Sequence, residues 1–521
     1  MTITSLGHAG FLIEAGADVI LVDPWLSPAG AYAASWFPFP SNASIDPDAL
    51  EQANILYISH WHHDHLDEWF LRGRSNRFKE TVRVIIPDFK YKKLPDCLKD
   101  CGFKNIEELP SFESLKTDAG TEIAIIYDRN PLFVDSALCI RSEGVHFLNA
   151  NDCKLSVADE EAIVSRFGAA DIFTAQFSGA TFHPTCYTYD EKKKIEISTV
   201  RRKAKFERIV SSIERLRASY YIPSAGPACF LSDDLFHLNR NPATVFSASE
   251  DFREYLQTNH PPLVRTFTEL LPGEKLILSK GKTPELVKNS DPFKPSQEYL
   301  LRYSEEKKKI ITSEIDRYRR PPGNIVSDAK EHFLSLYNTV PELGKLAAAD
   351  LELRLLNDGG GSFFMNTTSG EISDTPFDNS QQRYTLSLDS FWMRAIIDGS
   401  LTWEDFILSF RFAIEREPEI YNEALIAFLH LESEEERNDY ITYHAFIASG
   451  EKERITRVCD GMTIEYDRYC PHNGEDLSCA TITDGILTCP RHFWQFSTTD
   501  GKGINNSGSI NMTRVQEDNK D

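Results

Sequence analysis

The segment ILYISHWHHDHLDEWF sets His60, His62, His63, Asp64 and His65 directly behind an apolar run that reads as a strand. Loops at strand ends are where layered α/β scaffolds present chemistry. Imidazole suits zinc and iron, and a neighbouring carboxylate adds hard charge for a second ion or for oxygen chemistry. The chain has 14 histidines, so four within six positions point to a metal site rather than a polar loop.

A second concentration lies near the C-terminus, in RYCPHNGEDLSCATITDGILTCPRHFWQF, with Cys470-Pro-His472 and Cys489-Pro-Arg-His492. Two chemistries fit two Cys–His pairs. One is a structural Cys2His2 zinc site. The other is a Rieske [2Fe–2S] centre, with two thiolates on one iron and two imidazoles on the other, each pair delivered by one loop. The C-P-H-x-G and C-P-x-H sequences, with Trp494 and Phe496 following, resemble the Rieske ferredoxin fold. Cys479, between the pairs, reads as a small packed apolar side chain.

The elements that must position these groups differ along the chain. Residues 3–6, 10–13, 19–22 and 55–59 are short apolar runs between turn signals, hence strands of one sheet. The pattern predicts a helix over 66–78 and further strands at 81–86, 122–127, 137–140, 145–148 and 172–175. Such alternation over about 280 residues predicts an α/β layered domain ending near 279–295, where Gly, Lys, Pro and Asn cluster. Residues 296–320 read as a charged, solvated helix. Gly359, Gly360 and Gly361 mark a loop between strand-like runs, and 400–411 and 419–431 have amphipathic helical patterns. Residues 384–409 resemble a sterol-carrier-like α+β module. From about Asn438 the short alternating runs predict a small all-β domain.

The 521 residues carry a net charge of −23, which disfavours nucleic acid and anionic membrane as partners. There is no run of eighteen apolar residues. The first residues show neither a basic n-region nor a small-residue cleavage site, and the ten cysteines are sparse outside the C-terminal group, which predicts a reduced, cytoplasmic setting. Against the overall charge, Lys192, Lys193, Lys194, Arg201, Arg202, Lys203 and Lys205 form a local basic stretch, either a solvated helix face or a dock for phosphates or an acidic partner. It separates two Gly/Pro-punctuated segments, QFSGATFHPTCY and PSAGPACFLSD, that suit pocket-lining loops. His183, Asp234 and His237 are further ligand or acid/base candidates there.

The spacing His-x-His-x-Asp-His, with LGHAGFLIEAG and ILVDPWL before it, resembles the metallo-β-lactamase superfamily. That resemblance implies an αββα sandwich. It assigns His60 and His62 to one metal, Asp64 and His65 to a second, and Asp152 in FLNANDCKL to a bridge between them. His63 fills a variable position, and His8 in GHA is implied as an orienting neighbour of the site. Superfamily hydrolases supply a third histidine before the strand that follows PLFV; this chain has Asp135 instead. As a ligand, Asp135 would complete a two-histidine, one-carboxylate set of the kind found in non-haem iron(II) oxygenases; as a turn residue it would not. His146 reads as a strand histidine.

A Rieske centre exchanges single electrons, which zinc hydrolysis does not need and oxygen activation does. Both motifs on one chain therefore favour an oxygenase. SWFPFP at 35–40, LNANDC at 148–153, QFSGA at 176–180, SAGPACFL at 224–231 and REPEIYNE at 416–423 resemble a family that joins a metallo-β-lactamase-like domain to a C-terminal Rieske domain, the UDP-N-acetylmuramic acid hydroxylase type, with CMP-N-acetylneuraminate hydroxylases more distant. The resemblance implies an O2-dependent monooxygenase turning the N-acetyl group of a nucleotide-activated amino sugar into N-glycolyl. It implies non-haem iron, one or two ions, in preference to zinc. Cys470, His472, Cys489 and His492 would hold the cluster, with Asp64, His8 and Asp135 at the reacting centre. Electrons would come from an external reductase or ferredoxin, since the chain carries no flavin or nicotinamide fingerprint. A natural-product oxygenase and a metal hydrolase with an accessory Rieske domain are the alternatives. The expected organisation is a catalytic domain over 1–285, a helical or α+β middle region over 286–436 and a Rieske domain over 437–521.

Overall fold

The computed structural model describes residues 1–127, 132, 134–179, 181–239, 246–289, 293–378, 382–449, 453–459, 462–472, 474–491, 493–506 and 508–515. These form two compact units. One comprises Met1–Leu155, Asp159–Thr185 and Tyr189–Arg317, the other Ser156–Ala158, Cys186–Thr188 and Tyr318–Asp521.

The first unit is built on two sheets. The eight-stranded sheet runs Glu285–Val287, Lys275–Ile277, Thr2–Gly7, Gly10–Ala15, Asp18–Val22, Ile55–Tyr57, Arg83–Pro87, Asn105–Leu109. The last four strands are mutually parallel. The six-stranded sheet runs Tyr220–Ser224, Ile172–Gln176, Val145–Asn151, Ser136–Ser142, Glu122–Tyr127, Ser114–Lys116. Side chains of a strand alternate between its faces. Ile20 and Val22 thus enter the core between the sheets, with Phe11, Ile55, Leu138 and Phe147, while Leu21 packs outward with Leu56, Phe70 and Leu98. On the far face of the second sheet, Phe173 and Leu148 meet Ile163, Phe206, Ile213 and Phe252 from the helices Val157–Phe167, Glu191–Leu216 and Ser249–Asn259. Helix, sheet, sheet, helix is the expected αββα sandwich. Burial on both faces explains why its strands read as apolar runs.

The helix expected over 66–78 is two, Glu68–Arg72 and Asn76–Thr81. Gly73 ends the first, and the Ser75 side chain caps the second at the Phe78 N–H. Thr81 closes that helix rather than opening the next strand. The charged helix, Gln297–Asp316, is not wholly solvated. Its Leu300, Tyr303 and Ile311 stripe packs with Phe37, Phe39 and Leu231, an apolar face that the dense charges around it obscure.

In the second unit, a five-stranded sheet runs Ile372–Ser373, Gly361–Asn366, Asp350–Leu356, Arg383–Asp389, Phe412–Glu417. With its helices it is the α+β element expected for the middle of the chain. The helix expected over 400–411 spans only Trp403–Ser409, capped by Thr402, and Phe412 begins a strand. The one expected over 419–431 is Glu423–His430, because the Asn422 side chain accepts the Leu425 N–H. Residues beyond Asn438 begin as helix, Glu434–Ser449, before the small β-sheets Arg454–Cys459, Met462–Asp467, Met512–Val515 and Thr481–Thr483, Ile486–Thr488, Gln495–Ser497. Among the described residues, no helix is long and apolar enough to cross a membrane.

Candidate metal centres

Asp18–Val22 and Ile55–Tyr57 are adjacent parallel strands, so the residues after each emerge side by side. Asp23 and Ser59 meet there. The Asp23 carboxylate accepts the Ser59 backbone N–H at 2.8 Å and its hydroxyl at 2.7 Å. It also lies 3.0 Å from His65 Nδ1. Because a carboxylate only accepts, His65 carries its proton on Nδ1. Ser59 Oγ spends its hydrogen on Asp23 and thus accepts from His60 Nδ1, 2.9 Å away. Both rings therefore turn a bare Nε2 into the same space.

What faces those lone pairs tests whether the residues fit a metal. Among the described residues, His65 Nε2 is fully buried with no hydrogen-bond partner, 3.7 Å from Asp64 Oδ2 and 3.6 Å from Asp152 Oδ2. A lone pair aimed at two carboxylates is repelled unless a cation or a proton stands between them. Burial opposes a charge on His65, yet Asp64, Asp152 and Asp23 together hold its pKa well above the imidazole range. His60 behaves oppositely: burial, then His65 and His62, push it well below. Burial would raise Asp64, but His65 and His8 hold it well below the carboxylate range. The ring nitrogens of His60 and His62 are 2.9 Å apart, and Asp135 Oδ1 is 3.7 Å from His60 Nε2. Desolvation and the Asp152 charge push the Asp135 carboxyl up. The chemistry of this donor set fits one or two divalent ions.

Among the described residues, three groupings at this site have ligand atoms mutually within 4.8 Å: His60 with His62 and Asp135, His60 with His65 and Asp152, and His8 with Asp64 and His65; a fourth, Glu68 with Cys97 and Cys101, lies apart from it. His60, His62, Asp64 and His65 of the N-terminal motif are thus brought together with His8, Asp135 and Asp152. Asp135 arrives because the sheets are pinned beside the site: Tyr57 Oη and Ser136 Oγ lie 2.6 Å apart, and Ser136 Oγ donates to the Ser59 carbonyl at 2.7 Å. His8 Nε2 lies 2.9 Å from Asp64 Oδ2, and Tyr32 donates to Oδ1 at 2.6 Å. His63 stacks on Tyr32. His146 stays on its strand, with Nδ1 at the Ala169 carbonyl. His183, Asp234 and His237 enter none of these groupings among the described residues.

Sequence reasoning missed Asp23, Tyr32 and Gln176. Asp23 and Gln176 had signals, the Asp-Pro after an apolar run and the first position of the QFSGA segment; Tyr32 had none. Gln176 donates to Asp152 at 2.7 Å and accepts from Lys205 on the basic helix. Burial, then the charge of Lys154, lowers the Lys205 pKa to about 7.

The C-terminal site is set by two backbone-closed loops. Cys470 N–H donates to Glu475 O and Gly474 N–H returns to Cys470 O, both at 2.9 Å. Cys489 N–H donates to Trp494 O at 2.8 Å, and Phe493 N–H to Cys489 O at 3.1 Å. Both cysteines are buried and outside any disulfide, as thiolate ligands must be. His472 stacks on Trp494 with centroids 4.5 Å apart and an interplanar angle of 9°. Two inward thiols and an ordered imidazole fit a [2Fe–2S] cluster. His492 lies outside the described residues, as does the side chain of Cys479.

Residues 2–123 match the β-lactamase superfamily domain, and residues 431–512 the Rieske [2Fe–2S] domain. A Rieske 2Fe–2S iron–sulfur protein of Mycolicibacterium smegmatis (strain ATCC 700084 / mc(2)155) is 29% identical over 530 residues, covering 98% of each chain. The cytidine monophosphate-N-acetylneuraminic acid hydroxylase of Asterias rubens is 24% identical over 443 residues, 81% of this chain and 63% of that one. Among solved structures, a mutant CmlA β-hydroxylase overlaps 53% of this chain and 54% of its own at 18% identity and TM-score 0.36, a likeness that carries no weight for function. The chain thus pairs a metallo-β-lactamase-fold domain with a Rieske domain and is similar to Rieske iron–sulfur proteins and to cytidine monophosphate-N-acetylneuraminic acid hydroxylases.

Proposed function

We propose that this chain, which joins a metallo-β-lactamase-fold domain to a Rieske domain, is an O2-dependent monooxygenase that hydroxylates the N-acetyl group of a nucleotide-activated amino sugar of the UDP-N-acetylmuramic acid type. The observation that carries the reading is Asp135. Its carboxylate, where the hydrolases have a histidine, stands with His60 and His62 on a chain that also bears a one-electron site. In this reading His60, His62 and Asp135 would hold one iron and Asp64 and His65 a second, with Asp152 available to both, and Cys470, His472, Cys489 and His492 would hold the cluster. When bound, the irons supply O2 chemistry and the cluster supplies single electrons, received from a cytoplasmic reductase or ferredoxin.

The protein's own groups have defined tasks. Asp23 and Ser59 fix both histidine tautomers so that neutral Nε2 atoms face the ions. His8 and Tyr32 hold Asp64 stationary by both oxygens, while His65 and His8 hold its carboxyl well below the usual range against the effect of burial. The hydrogen bonds from Lys205 through Gln176 to Asp152 tie the basic helix to the site and hold the Asp152 carboxylate in place. Arg201 and Arg202 lie on the same helix and suit the substrate's phosphates.

The test is anaerobic purification with metal analysis, then turnover of UDP-N-acetylmuramic acid with O2 and a reductase. Iron beyond the cluster's two atoms, with an O2-dependent N-glycolyl product, is expected. Zinc alone in the first unit, with activity in the absence of O2, would replace this reading by a hydrolase.

A further inference from the structure

We propose that Glu423, contributed from outside the two cysteine–histidine loops, is the positioning residue of the Rieske centre: its carboxylate fixes the tautomer and orientation of His472 and sets the potential of the cluster. This rests on reading those loops as a [2Fe–2S] site. The residue ends the REPEIYNE segment, which neither set of proposed ligands uses.

Glu423 opens the helix Glu423–His430, whose cap Asn422 is buried and held four ways. The Asn422 backbone N–H donates to Tyr384 Oη at 2.9 Å, and Nδ2 donates to Ala347 O and to Gln382 Oε1, each at 2.6 Å. Its Oδ1 accepts the Leu425 N–H at 3.0 Å. Tyr421, one residue earlier, bridges to Asn506 and packs on the apolar core beneath the cysteine loops. The turn before the helix is therefore locked to the cluster loops on one side and to the five-stranded sheet on the other. From it, Glu423 Oε1 reaches His472 Nε2 at 3.1 Å, with the two side chains only 18% and 11% exposed. Tyr440 and His444, on the helix Glu434–Ser449, also feel the Glu423 charge.

The chemistry follows from the partner. A carboxylate offers only acceptors, so the His472 proton sits on Nε2 and the lone pair on Nδ1, turned to where iron would be. Trp494 fixes the plane of the ring, and Glu423 fixes its rotation within that plane. Trp494 is itself held close: a Cβ on Gly508 would stand 2.6 Å from its ring. A half-buried negative charge beside a ligand also favours the oxidised cluster, because that state carries the greater positive charge. Glu423 thus lowers the potential.

The experiment uses the full-length protein with its cluster, as wild type, Glu423→Gln and Glu423→Ala. Read-outs are iron and sulfide per chain, the electron paramagnetic resonance spectrum of the reduced cluster, and its midpoint potential. Glutamine can still accept the Nε2 proton but carries no charge. We expect it to keep the cluster content and to raise the potential. Alanine should raise the potential as well, broaden the g-values as the ring loses its anchor, and lower the cluster content. A role limited to starting the helix would leave the potential unmoved. If alanine fails to fold, the glutamine variant decides alone. Spectra and potentials of Glu423→Gln superposable on wild type overturn the assignment of Glu423. A wild type without a Rieske signal overturns the cluster reading beneath it.

Discussion

The histidine–carboxylate and cysteine–histidine candidate sites of this chain are built in opposite ways. The histidine–carboxylate site gathers side chains from the ends of strands in two sheets and holds them with buried side chains: Asp23, Ser59, Tyr32 and His8. The cysteine–histidine site takes its donors from two neighbouring loops and holds them with backbone hydrogen bonds, plus the single carboxylate of Glu423. A site held by backbone is specified by short-range spacing and tolerates changes around it. A site held by side chains is only as good as each of its supports.

The sharpest break of this comparison removes one site and watches the other. Cys489→Ser should abolish the cluster signal and all reductant-driven turnover, while the first unit keeps its metal, because separate compact units fold on their own cores. His60→Ala should do the converse. Loss of both metals in either variant, by elemental analysis, would show that the sites are not independent.

Next in size is Asp23→Ala. It strips the carboxylate partner from His65 Nδ1, leaving only Ser59 Oγ at 3.2 Å, and removes the anchor from Ser59. Supporting groups of this kind cost roughly 10–100-fold in metal affinity when removed. Chelator competition measures it, and an unchanged affinity would mean that the loop alone orients His60 and His65.

Smaller still is Tyr32→Phe, which deletes one of the two bonds on Asp64. A hydrogen bond to a charged group contributes ~1.5–3 kcal/mol. Denaturant unfolding of the metal-free protein should show a loss within that range, with the His8 contact preserved.

The smallest effect separates the units rather than the sites. His332 Nε2 accepts the Trp403 indole N–H at 3.0 Å, and burial, then Arg437, lowers its pKa to about 4. The unfolded imidazole titrates near 6.5, so the unfolded chain binds more protons between these values. Stability is full above about pH 6.5 and falls as pH drops towards 4. The loss is about 1–2 kcal/mol after allowance for solvent screening. His332→Gln, which keeps an acceptor for Trp403, should flatten this dependence in the second unit and leave the first unchanged. Equal acid sensitivity in the variant would place its source elsewhere.

Much of this was legible in residue order. Short apolar runs bounded by turn signals marked the strands of the sandwich, since a strand buried on both faces is apolar along its length. His60, His62, Asp64 and His65 share a single loop, and Cys470 and His472 another, so covalent spacing alone confines their donors to a few ångströms. Helix ends were less legible. The breaks at Gly73 and Thr402 and the late start at Asn422 depend on caps, which a periodic pattern does not weigh. The helix over Glu434–Ser449 was read as β because its short apolar runs fit either period.

Sequence by itself therefore determined the fold class, the loop-borne candidate donors and the pairing of a metallo-β-lactamase-fold domain with a Rieske domain. Tertiary structure alone decided that Asp135 stands at His60 and His62. It also decided that Asp23 and Tyr32 secure the histidine loop, and that Glu423 reaches the ring of His472. The reason is reach. Neighbours in a loop are held near one another by bonds, whereas partners from separate strands and helices meet only where sheets stack and helices dock. Their proximity is a property of packing, which local periodicity does not encode.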